Sequence, residues 1–321
     1  MGAWQLPEGI DELTNDQALV FESLRRRLLD LYVDKGFGLV IPPMVEHVNS
    51  LLLTSDAIDE KTFKLLDPIS GKMLGVHADI TPQIARIDAK RGSNSVEKYC
   101  YINSILKTKA DDFYASRSPI QAGAELYGSN EISADVEVIE LMQESLRLLS
   151  IDPIVLSLGN VAIFDALIVQ EDISIQTVVQ LRAIFSHRST PDLSVFLNNN
   201  ALKNADLFTR LIKLEGGSDI LSEALTIFSH LDQAKVAIED LIAIDKQLNA
   251  KGIKAIFDLS ELQVHEYHTG IVFSAYNENY SKALAQGGRY NGIGKSFGKS
   301  RAATGFSFDL KFLSQSHFKK H

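Results

Sequence analysis

Apolar residues at helical spacing mark the first element of the chain. Val20, Leu24 and Leu28 recur every four residues and would line one face of a helix. Thr14 opens the sequence Thr-Asn-Asp-Gln, a capping-box pattern that places a hydroxyl and a glutamine at the first turn. Gly36 follows the last apolar positions, where glycine commonly ends a helix. The pattern predicts a helix that begins after Thr14 and ends close to Gly36.

β-branched and aromatic runs follow, and these indicate strands rather than helices. Strands are predicted at 39–41, 98–105, 120–128 and 154–158, with a hairpin over 64–76 and a helix from 133 to about 149. A further helix is predicted over 79–91, with Asp79 or Thr81 as its cap. Alternation places Gln121 and Glu125 on one face of their strand, which gives that face a polar character unusual for a core.

The middle of the chain changes to helical periodicity. Helices are predicted at 161–170, 174–187, 191–198, 204–213, 218–229 and 231–251. Strands return at 254–259 and 268–276, and glycine-punctuated segments follow them. The sequence therefore predicts an α+β domain formed by 1–159 and 252–321, which a helical insertion at 160–251 divides.

Composition narrows the class of protein. The chain has 321 residues, of which 45% are apolar, and no apolar run approaches the roughly 18 residues of a membrane span. The N-terminus lacks the basic region and apolar stretch of a signal peptide. Cys100 is the only cysteine, which excludes an internal disulfide, and the net charge of −9 disfavours nucleic acid. These properties predict a cytoplasmic globular protein without a membrane or nucleic-acid partner.

The segment QVHEYHTGIVF raises the question of a metal site. His265 and His268 flank Glu266, but they stand three residues apart, whereas the helical zinc motif needs four. The residues that follow favour a strand, in which positions three apart point to opposite faces, so the two histidines are not expected to share a metal. The glycine pairs between 287 and 294 match neither a phosphate loop nor a dinucleotide fingerprint. No metal and no cofactor is therefore predicted.

Polar residues in four distant segments remain as candidates for a binding site. They are Asp79, Thr81, Arg117, Gln121, Glu125, Tyr267, His268, Arg289 and Tyr290. Singly, they have structural explanations, such as a helix cap for Asp79 or Thr81 and a surface charge for Arg117. If they converge, carboxylates and a glutamine would hold an ammonium group, an arginine would hold a carboxylate, and a tyrosine or glutamate would bind a polar side chain. That combination describes an amino-acid pocket.

These segments resemble the catalytic core of histidyl-tRNA synthetase, a class II aminoacyl-tRNA synthetase, over nearly the whole chain. HADITPQIAR resembles its Arg-Pro-Glu-Gly-Thr segment, RSPIQAGAELYG its Gln-x-Gly-x-Glu strand, QVHEYHTGIVF its histidine motif and GGRYNGI its Gly-Gly-Arg-Tyr segment. The resemblance implies a class II core, in which a mixed, mainly antiparallel sheet is flanked by helices. It also implies a histidine-sized pocket lined by Asp79, Thr81, Gln121, Glu125, Tyr267, His268 and Tyr290.

Four departures from that family alter the residues that adenylate formation requires: Lys107 lacks the fork of an arginine, Lys109 reverses a charge, and Gln263 and Phe312 are uncharged. Lys107 stands at the arginine of the second motif and Lys109 at its glutamate. Gln263 and Phe312 stand at two further arginines, and neither side chain can neutralise a phosphate. The chain ends soon after the third motif, so an anticodon-binding domain is not expected. Together these changes predict a binding protein without catalytic residues.

The chain also resembles the regulatory subunits of short-form ATP phosphoribosyltransferase, relatives of the synthetase that act in histidine biosynthesis. LPEGIDEL, SRSPIQAGAELYG, YHTGIVF and RAATGFSFDL agree with them in order. The resemblance implies a non-catalytic subunit that activates the short catalytic subunit and mediates feedback inhibition by L-histidine. Lys107 or Arg117 is then expected to hold the ligand carboxylate. Residues 36–43 are expected to pair two copies as a homodimer within a hetero-oligomer.

Two alternatives stay open from the sequence. The first is a histidyl-tRNA synthetase-like enzyme that activates an amino acid, and the four replaced residues at 107, 109, 263 and 312 disfavour it. The second is a stand-alone sensor or tRNA-binding module, and the acidic net charge disfavours RNA.

Overall fold

The chain forms two compact units in a computed structural model. The structure describes residues 4–51, 57–110, 115–262 and 267–320, with the backbone alone at 57, 58, 319 and 320. The first unit contains 1–129, 140–152 and 291–321, and the second unit contains 130–139 and 153–290.

The predicted elements are present in their predicted order, together with short strands and helices that the periodicity did not predict. The strands are β1 (Gly38–Leu39), β2 (Val45–His47), β3 (Lys64–Leu66), β4 (Met73–Val76), β5 (Glu97–Ser104), β6 (Ile120–Tyr127), β7 (Val155–Asn160), β8 (Glu215–Gly216), β9 (Ala255–Asp258), β10 (Ile271–Tyr276), β11 (Ala285–Arg289) and β12 (Ala303–Asp309). The helices are α1 (Asn15–Asp34), α2 (Val48–Leu51), α3 (Ala57–Lys61), α4 (Thr81–Arg91), α5 (Ile132–Leu148), α6 (Val161–Val169), α7 (Ile175–Ser186), α8 (Thr190–Asn199), α9 (Ala205–Leu211), α10 (Asp219–Ile227), α11 (Asp232–Ala250) and α12 (Leu310–Ser314). Two 3₁₀ helices, Ile293–Phe297 and Gln315–Lys320, complete the described elements.

The main sheet of the first unit has the strand order β1-β5-β6-β12. β1 runs parallel to β5, whereas the β5–β6 and β6–β12 pairs are antiparallel. The register sets Glu125 opposite Gly305 and Gln121 opposite Asp309. A separate antiparallel sheet has the order β2-β4-β3. The polar face predicted for β6 therefore meets a glycine and a carboxylate on β12.

Helix α1 packs its apolar face into the core of the first unit. Its buried residues are Phe21, Leu24, Leu28 and Tyr32. Gly36 has a φ of +83°, and the Phe37 N–H donates to the Tyr32 carbonyl at 2.9 Å, so the helix ends in the predicted glycine turn. Thr14 precedes the helix as predicted, but its side chain makes no capping hydrogen bond.

The sheet of the second unit has the strand order β11-β10-β7-β9-β8. The β7–β9 pair is parallel, and the other three pairs are antiparallel. Phe164 of α6, Phe185 of α7 and Phe208 of α9 meet edge to face, with ring centroids 5.0 to 6.2 Å apart. Such pairs stabilise the helical region beyond the burial of their area. The boundaries that separate 160–251 as an insertion stay a prediction.

The strand predicted at 268–276 begins later in the structure. β10 begins at Ile271, so His268 precedes the strand and the alternation argument does not apply to it. The rest of the suspected metal segment, 263–266, lies outside the described residues. Among the residues that are described, no group of three or more His, Cys, Asp or Glu could hold a metal ion.

Two further local predictions are wrong. The N-cap residue of α4 is Ile80, in place of Asp79 or Thr81, although Asp79 Oδ1 accepts a hydrogen bond from the Thr81 N–H at the first residue of the helix. The short strand β8 lies in the region predicted to contain only helices, where it adds an edge to β9. In the described ranges, no helix combines the length and the apolar character needed to cross a membrane.

Candidate amino-acid-binding site

A buried carboxylate is the centre of a polar network in the first unit. Glu125 on β6 is only 1% exposed, and its Oε1 accepts hydrogen bonds from Thr81 Oγ1 at 2.8 Å and Tyr101 OH at 3.2 Å. The two hydroxyl oxygens are themselves 3.3 Å apart. α4, β5 and β6 each supply one member, so the network depends on the tertiary fold. Donors of this kind replace the water that a buried carboxylate loses.

Two glycines, Gly305 on β12 and Gly123 on β6, have no side chain and so make room for the Glu125 carboxylate and the Tyr101 hydroxyl. Gly305 lies opposite Glu125 in the β6–β12 register, and a Cβ there would overlap Glu125 Oε2. A Cβ at Gly123 would lie 2.6 Å from the Tyr101 hydroxyl. These separations are far inside van der Waals contact, so a larger residue at either position must displace the network.

Asp79 and Gln121 extend the network toward the start of α4. Gln121 Nε2 donates to Asp79 Oδ1 at 2.9 Å, while Gln121 Oε1 accepts from the Ile80 N–H at 3.0 Å. The same Asp79 oxygen accepts from the Thr81 N–H at 3.3 Å. Thr81 therefore links this group to Glu125. The structure thus brings four predicted residues into one group of carboxylate, hydroxyl and amide groups, which can accept from an ammonium or a ring N–H.

Three rings form a separate cluster in the second unit. Tyr267, His268 and Tyr290 have ring centroids 5.0, 5.6 and 6.3 Å apart in the three pairwise combinations. Gly288 leaves room for the imidazole, because a Cβ there would lie 2.8 Å from His268 Cδ2. His268 and Tyr290 are both buried. The three predicted members of this cluster are in mutual contact, and the tilted and edge-on ring geometry fixes the imidazole.

Arg289 precedes Tyr290 in the sequence but serves a structural contact. Its Nε donates to Asp135 Oδ2 at 3.2 Å, and its Nη2 donates to the Glu131 carbonyl at 3.2 Å. Its own carbonyl accepts from the Thr269 N–H at 2.8 Å. Arg289 therefore anchors β11 to the beginning of α5, and its guanidinium is committed to Asp135.

Arg117 and Lys107 are the two cations predicted to hold a ligand carboxylate. Arg117 Nε donates to the Lys107 carbonyl at 3.1 Å, Arg117 Nη1 donates to the Glu8 carbonyl at 2.9 Å, and the guanidinium lies 5.2 Å from the centre of the Phe63 ring. Backbone carbonyls and an aromatic face thus hold the Arg117 side chain. Lys107 forms an isolated bridge with Thr62. The role of either cation toward a ligand stays a prediction.

A cavity of about 330 Å³ lies in the first unit where the resemblance places the third synthetase motif. Asp11, Ser116, Asp309, Lys311 and Phe312 are among its lining residues. Lys311 Nζ lies 2.9 Å from Asp11 Oδ1, so its charge is neutralised within the chain. Burial raises the pKa of Asp309, although the Phe312 and Ile120 N–H groups hydrogen-bond to it. A lining with two carboxylates and a paired lysine disfavours a polyphosphate.

Sequence reasoning missed Tyr101 and Gly305 as parts of the Glu125 network. A usable signal existed for Gly305, because an isolated glycine inside a strand often marks a close approach by another group. Tyr101 offered only its place on one strand face with Tyr99, which does not distinguish a hydrogen-bonding tyrosine from a packed one.

Comparison with known proteins assigns the chain to a family. A family model described as histidyl-tRNA synthetase matches residues 9–313. A protein of Thiobacillus denitrificans named ATP phosphoribosyltransferase regulatory subunit is 41% identical over 315 residues, which are 98% of this chain and 98% of that protein. A protein of the same name from Methylococcus capsulatus is 40% identical over 97% of this chain and 78% of its own length. The chain belongs to the family of histidyl-tRNA synthetase-like regulatory subunits of ATP phosphoribosyltransferase.

Two solved structures have the same fold as this chain. A Bacillus halodurans structure, described as an ATP phosphoribosyltransferase regulatory subunit/histidyl-tRNA synthetase, has a TM-score of 0.88, with 23% identity over 98% of this chain and 83% of that chain. A histidine–tRNA ligase subunit from Alicyclobacillus acidocaldarius has a TM-score of 0.82, with 21% identity and 99% of each chain covered. The predicted fold class, an α+β class II synthetase-like core with a mixed, mainly antiparallel sheet, is confirmed.

Proposed function

We propose that this chain is the non-catalytic regulatory subunit of ATP phosphoribosyltransferase, which catalyses the first step of L-histidine biosynthesis. Its nearly full-length similarity to proteins of that name supports this role. The cavity at the third-motif position supports it as well, because Asp11 neutralises Lys311 there and Phe312 occupies the place of an arginine. The chain is proposed to act in the cytoplasm, bound to the short catalytic subunit that performs the transfer.

The buried network around Glu125 carries the further proposal that L-histidine is the regulatory ligand. Histidine offers an α-ammonium and an imidazole N–H, and both are donors that need acceptors in a site without water. Asp79, Thr81 and Gln121 are proposed to bind the ammonium group, and Glu125 the imidazole. The rings of the second-unit cluster are proposed to contribute to histidine binding through aromatic contacts. Feedback inhibition then requires that histidine bind one state of the hetero-oligomer more tightly than another.

An exposed apolar surface in the first unit supports a homodimer. β1 is the edge strand of its sheet, and an edge strand offers unpaired backbone groups to a second chain. Large apolar side chains of β1, β2, β3 and the residues that join β1 to β2 are exposed to solvent, namely Leu39, Ile41, Met44, Val45, Leu65 and Leu66. Exposed apolar groups of this kind mark interaction sites when they cluster. We propose that residues 36–43 pair two copies of this chain within the hetero-oligomer.

Turnover by a short catalytic subunit, measured with and without this chain and with L-histidine titrated, tests the proposal. We expect the chain to activate the catalytic subunit and histidine to inhibit the complex. Glu125→Gln should raise the half-inhibitory histidine concentration at least about tenfold, since a lost hydrogen bond to a charged group costs about 1.5–3 kcal/mol. Activation by the variant then serves as the evidence that it is folded.

Glu144→Gln is the matched control for that variant. Glu144 pairs with Lys35 at the surface, 2.6 Å apart and away from the Glu125 network, and its loss should change neither activation nor inhibition. A chain that fails to activate the catalytic subunit contradicts the regulatory role. Histidine-dependent exchange between ATP and pyrophosphate would instead identify an amino-acid-activating enzyme.

A further inference from the structure

Arg188 adopts a backbone conformation that is unfavourable for arginine. Its φ is +51° in the turn between α7 and α8, where its N–H donates to the Phe185 carbonyl at 2.9 Å. Glycine is the usual residue at this position of a helix terminus, because a Cβ is strained there. A side chain that persists in such a place is held by contacts elsewhere.

Those contacts are three carboxylates from the end of the second-unit sheet. Arg188 Nη2 forms an ion pair with Asp258 and lies 3.7 Å from Glu261 Oε2, while Nη1 donates to Glu215 Oε2 at 2.9 Å. The Asp258 and Glu261 side chains are only 1% and 9% exposed, so each depends on a nearby cation or donor. Asp258 Oδ1 also accepts from the Ser260 N–H at 3.0 Å. The guanidinium and this hydrogen bond together fix the segment that follows β9.

The segment after β9 and His268 lie on the same face of the sheet. Gly159 on β7, Val272 on β10 and Gly288 on β11 are direct cross-strand partners, so their side-chain positions share a face. A Cβ on Gly159 would lie 3.2 Å from Glu261 Cβ, and a Cβ on Gly288 would lie 2.8 Å from His268 Cδ2. β7 and β11 flank β10, which places the two side chains about 10 Å apart at an interstrand spacing of about 4.8 Å.

Leu262 lies at the end of this segment and packs against Val272 and Val161. Asp258 to Leu262 therefore forms a wall on the sheet face that also carries His268. We propose that Arg188 is a positioning residue for L-histidine binding, which holds this wall in place from the turn between two helices of the second unit. The inference rests on the proposed function, and it gives the helical region between β7 and β9 a direct role in shaping the ligand site.

Calorimetric titration of the full chain with L-histidine tests this role. Arg188→Gln removes the positive charge that faces the three carboxylates. The Kd for histidine should rise at least about fivefold, because the two buried carboxylates then lose a cation. Arg188→Lys keeps the charge without the fork of the guanidinium and should restore part of the affinity. Arg210→Gln is the matched control, since it removes an exposed pair with Asp206 in the same helical region and should leave the Kd unchanged.

Arg188→Gly separates positioning from a purely structural role. Glycine relieves the positive φ, so this variant should unfold at a temperature no lower than that of Arg188→Gln, and we expect its Kd to rise as much. Wild-type affinity in both the Gln and the Gly variants would overturn the inference while leaving the proposed function intact. A wild-type chain that gives no binding signal with L-histidine would overturn the proposed ligand and this inference together.

Discussion

Glu125 lies directly opposite Gly305 on the neighbouring strand, and its carboxylate fills the space that the Cβ of any other residue at position 305 would occupy. The position of the buried carboxylate thus depends both on the hydroxyls of Thr81 and Tyr101 and on the absence of a side chain at Gly305. The hydrogen bonds of Thr81 and Tyr101 keep the carboxylate over the glycine.

Gly305→Ala tests this relationship directly. The new Cβ would overlap Glu125 Oε2 and lie 2.8 Å from the Ala124 carbonyl, so the carboxylate must move. We expect the free energy of unfolding to fall by about 1–3 kcal/mol, as overpacking of a core usually costs. Histidine affinity should fall at least about tenfold, a loss of 1.4 kcal/mol or more. Gly292→Ala is the control, because nothing lies within 4 Å of a Cβ there, and urea denaturation with calorimetry should show no change in stability or affinity.

Tyr101→Phe removes a hydroxyl that donates to Glu125. The variant loses a hydrogen bond of 3.2 Å to the buried carboxylate, while Thr81 Oγ1 still donates to the same oxygen. We expect the free energy of unfolding to fall by about 1–2 kcal/mol and histidine affinity to fall severalfold. Tyr99→Phe, on the same strand, loses a hydroxyl that donates to Asp88 at 3.2 Å. This control should lose stability but keep its histidine affinity, and a loss of affinity in both variants would argue for a general effect on β5.

The helical periodicity of the sequence was sufficient to predict most of the helices and their ends. The helices α1 and α6 to α11 begin and end within one or two residues of the predicted positions, because their apolar faces repeat clearly along the chain. Short strands were less predictable. His268 precedes β10 although the residues around it have strand propensity, since pairing with β7 begins only at Ile271.

The candidate site was only partly visible in the sequence. Alternation put Gln121 and Glu125 on one strand face, and the structure keeps them in one network with Thr81. The sequence could not reveal that the Glu8 carbonyl holds Arg117, because that contact joins residues 109 positions apart. Nor could it reveal the ion pairs of Arg188, since a charged residue in a polar turn has no periodic signal.

The stability of the first unit is predicted to fall at alkaline pH because of Cys100. Burial raises the pKa of its thiol to about 12, whereas a cysteine in an unfolded chain has a pKa of about 8.5. Between these values the folded state keeps a proton that the unfolded state releases. The contribution of the protonated thiol to the free energy of unfolding is therefore fully present below about pH 8.5. It falls as the pH rises toward 12, by at most about 1.4 kcal/mol per pH unit.

Urea denaturation of the wild type and of Cys100→Ala between pH 8 and pH 10 measures that contribution. The alanine variant keeps the tyrosines, which also titrate at alkaline pH, and its loss of packing does not vary with pH. The difference between the two proteins in how the free energy of unfolding changes with pH therefore reports the thiol alone. The wild type should be more stable at pH 8, and its advantage should shrink by about 1–2 kcal/mol at pH 10. A constant difference across this range would show that the thiol titrates equally in both states.

Ile41→Asp tests the proposed pairing of two chains. Ile41 follows the edge strand β1 and is 72% exposed, so a charge there should leave the folded chain intact. At an apolar interface the same charge loses its water, which should cost about 3 kcal/mol or more and raise the dimer Kd more than a hundredfold. Sedimentation velocity should then show a dimer for the wild type and a monomer for the variant, with nearly equal unfolding temperatures. Ile175→Asp is the matched control, because Ile175 on α7 is 85% exposed and lies outside residues 36–43. If Ile175→Asp dissociates the dimer while Ile41→Asp does not, the pairing surface belongs to the helical region instead.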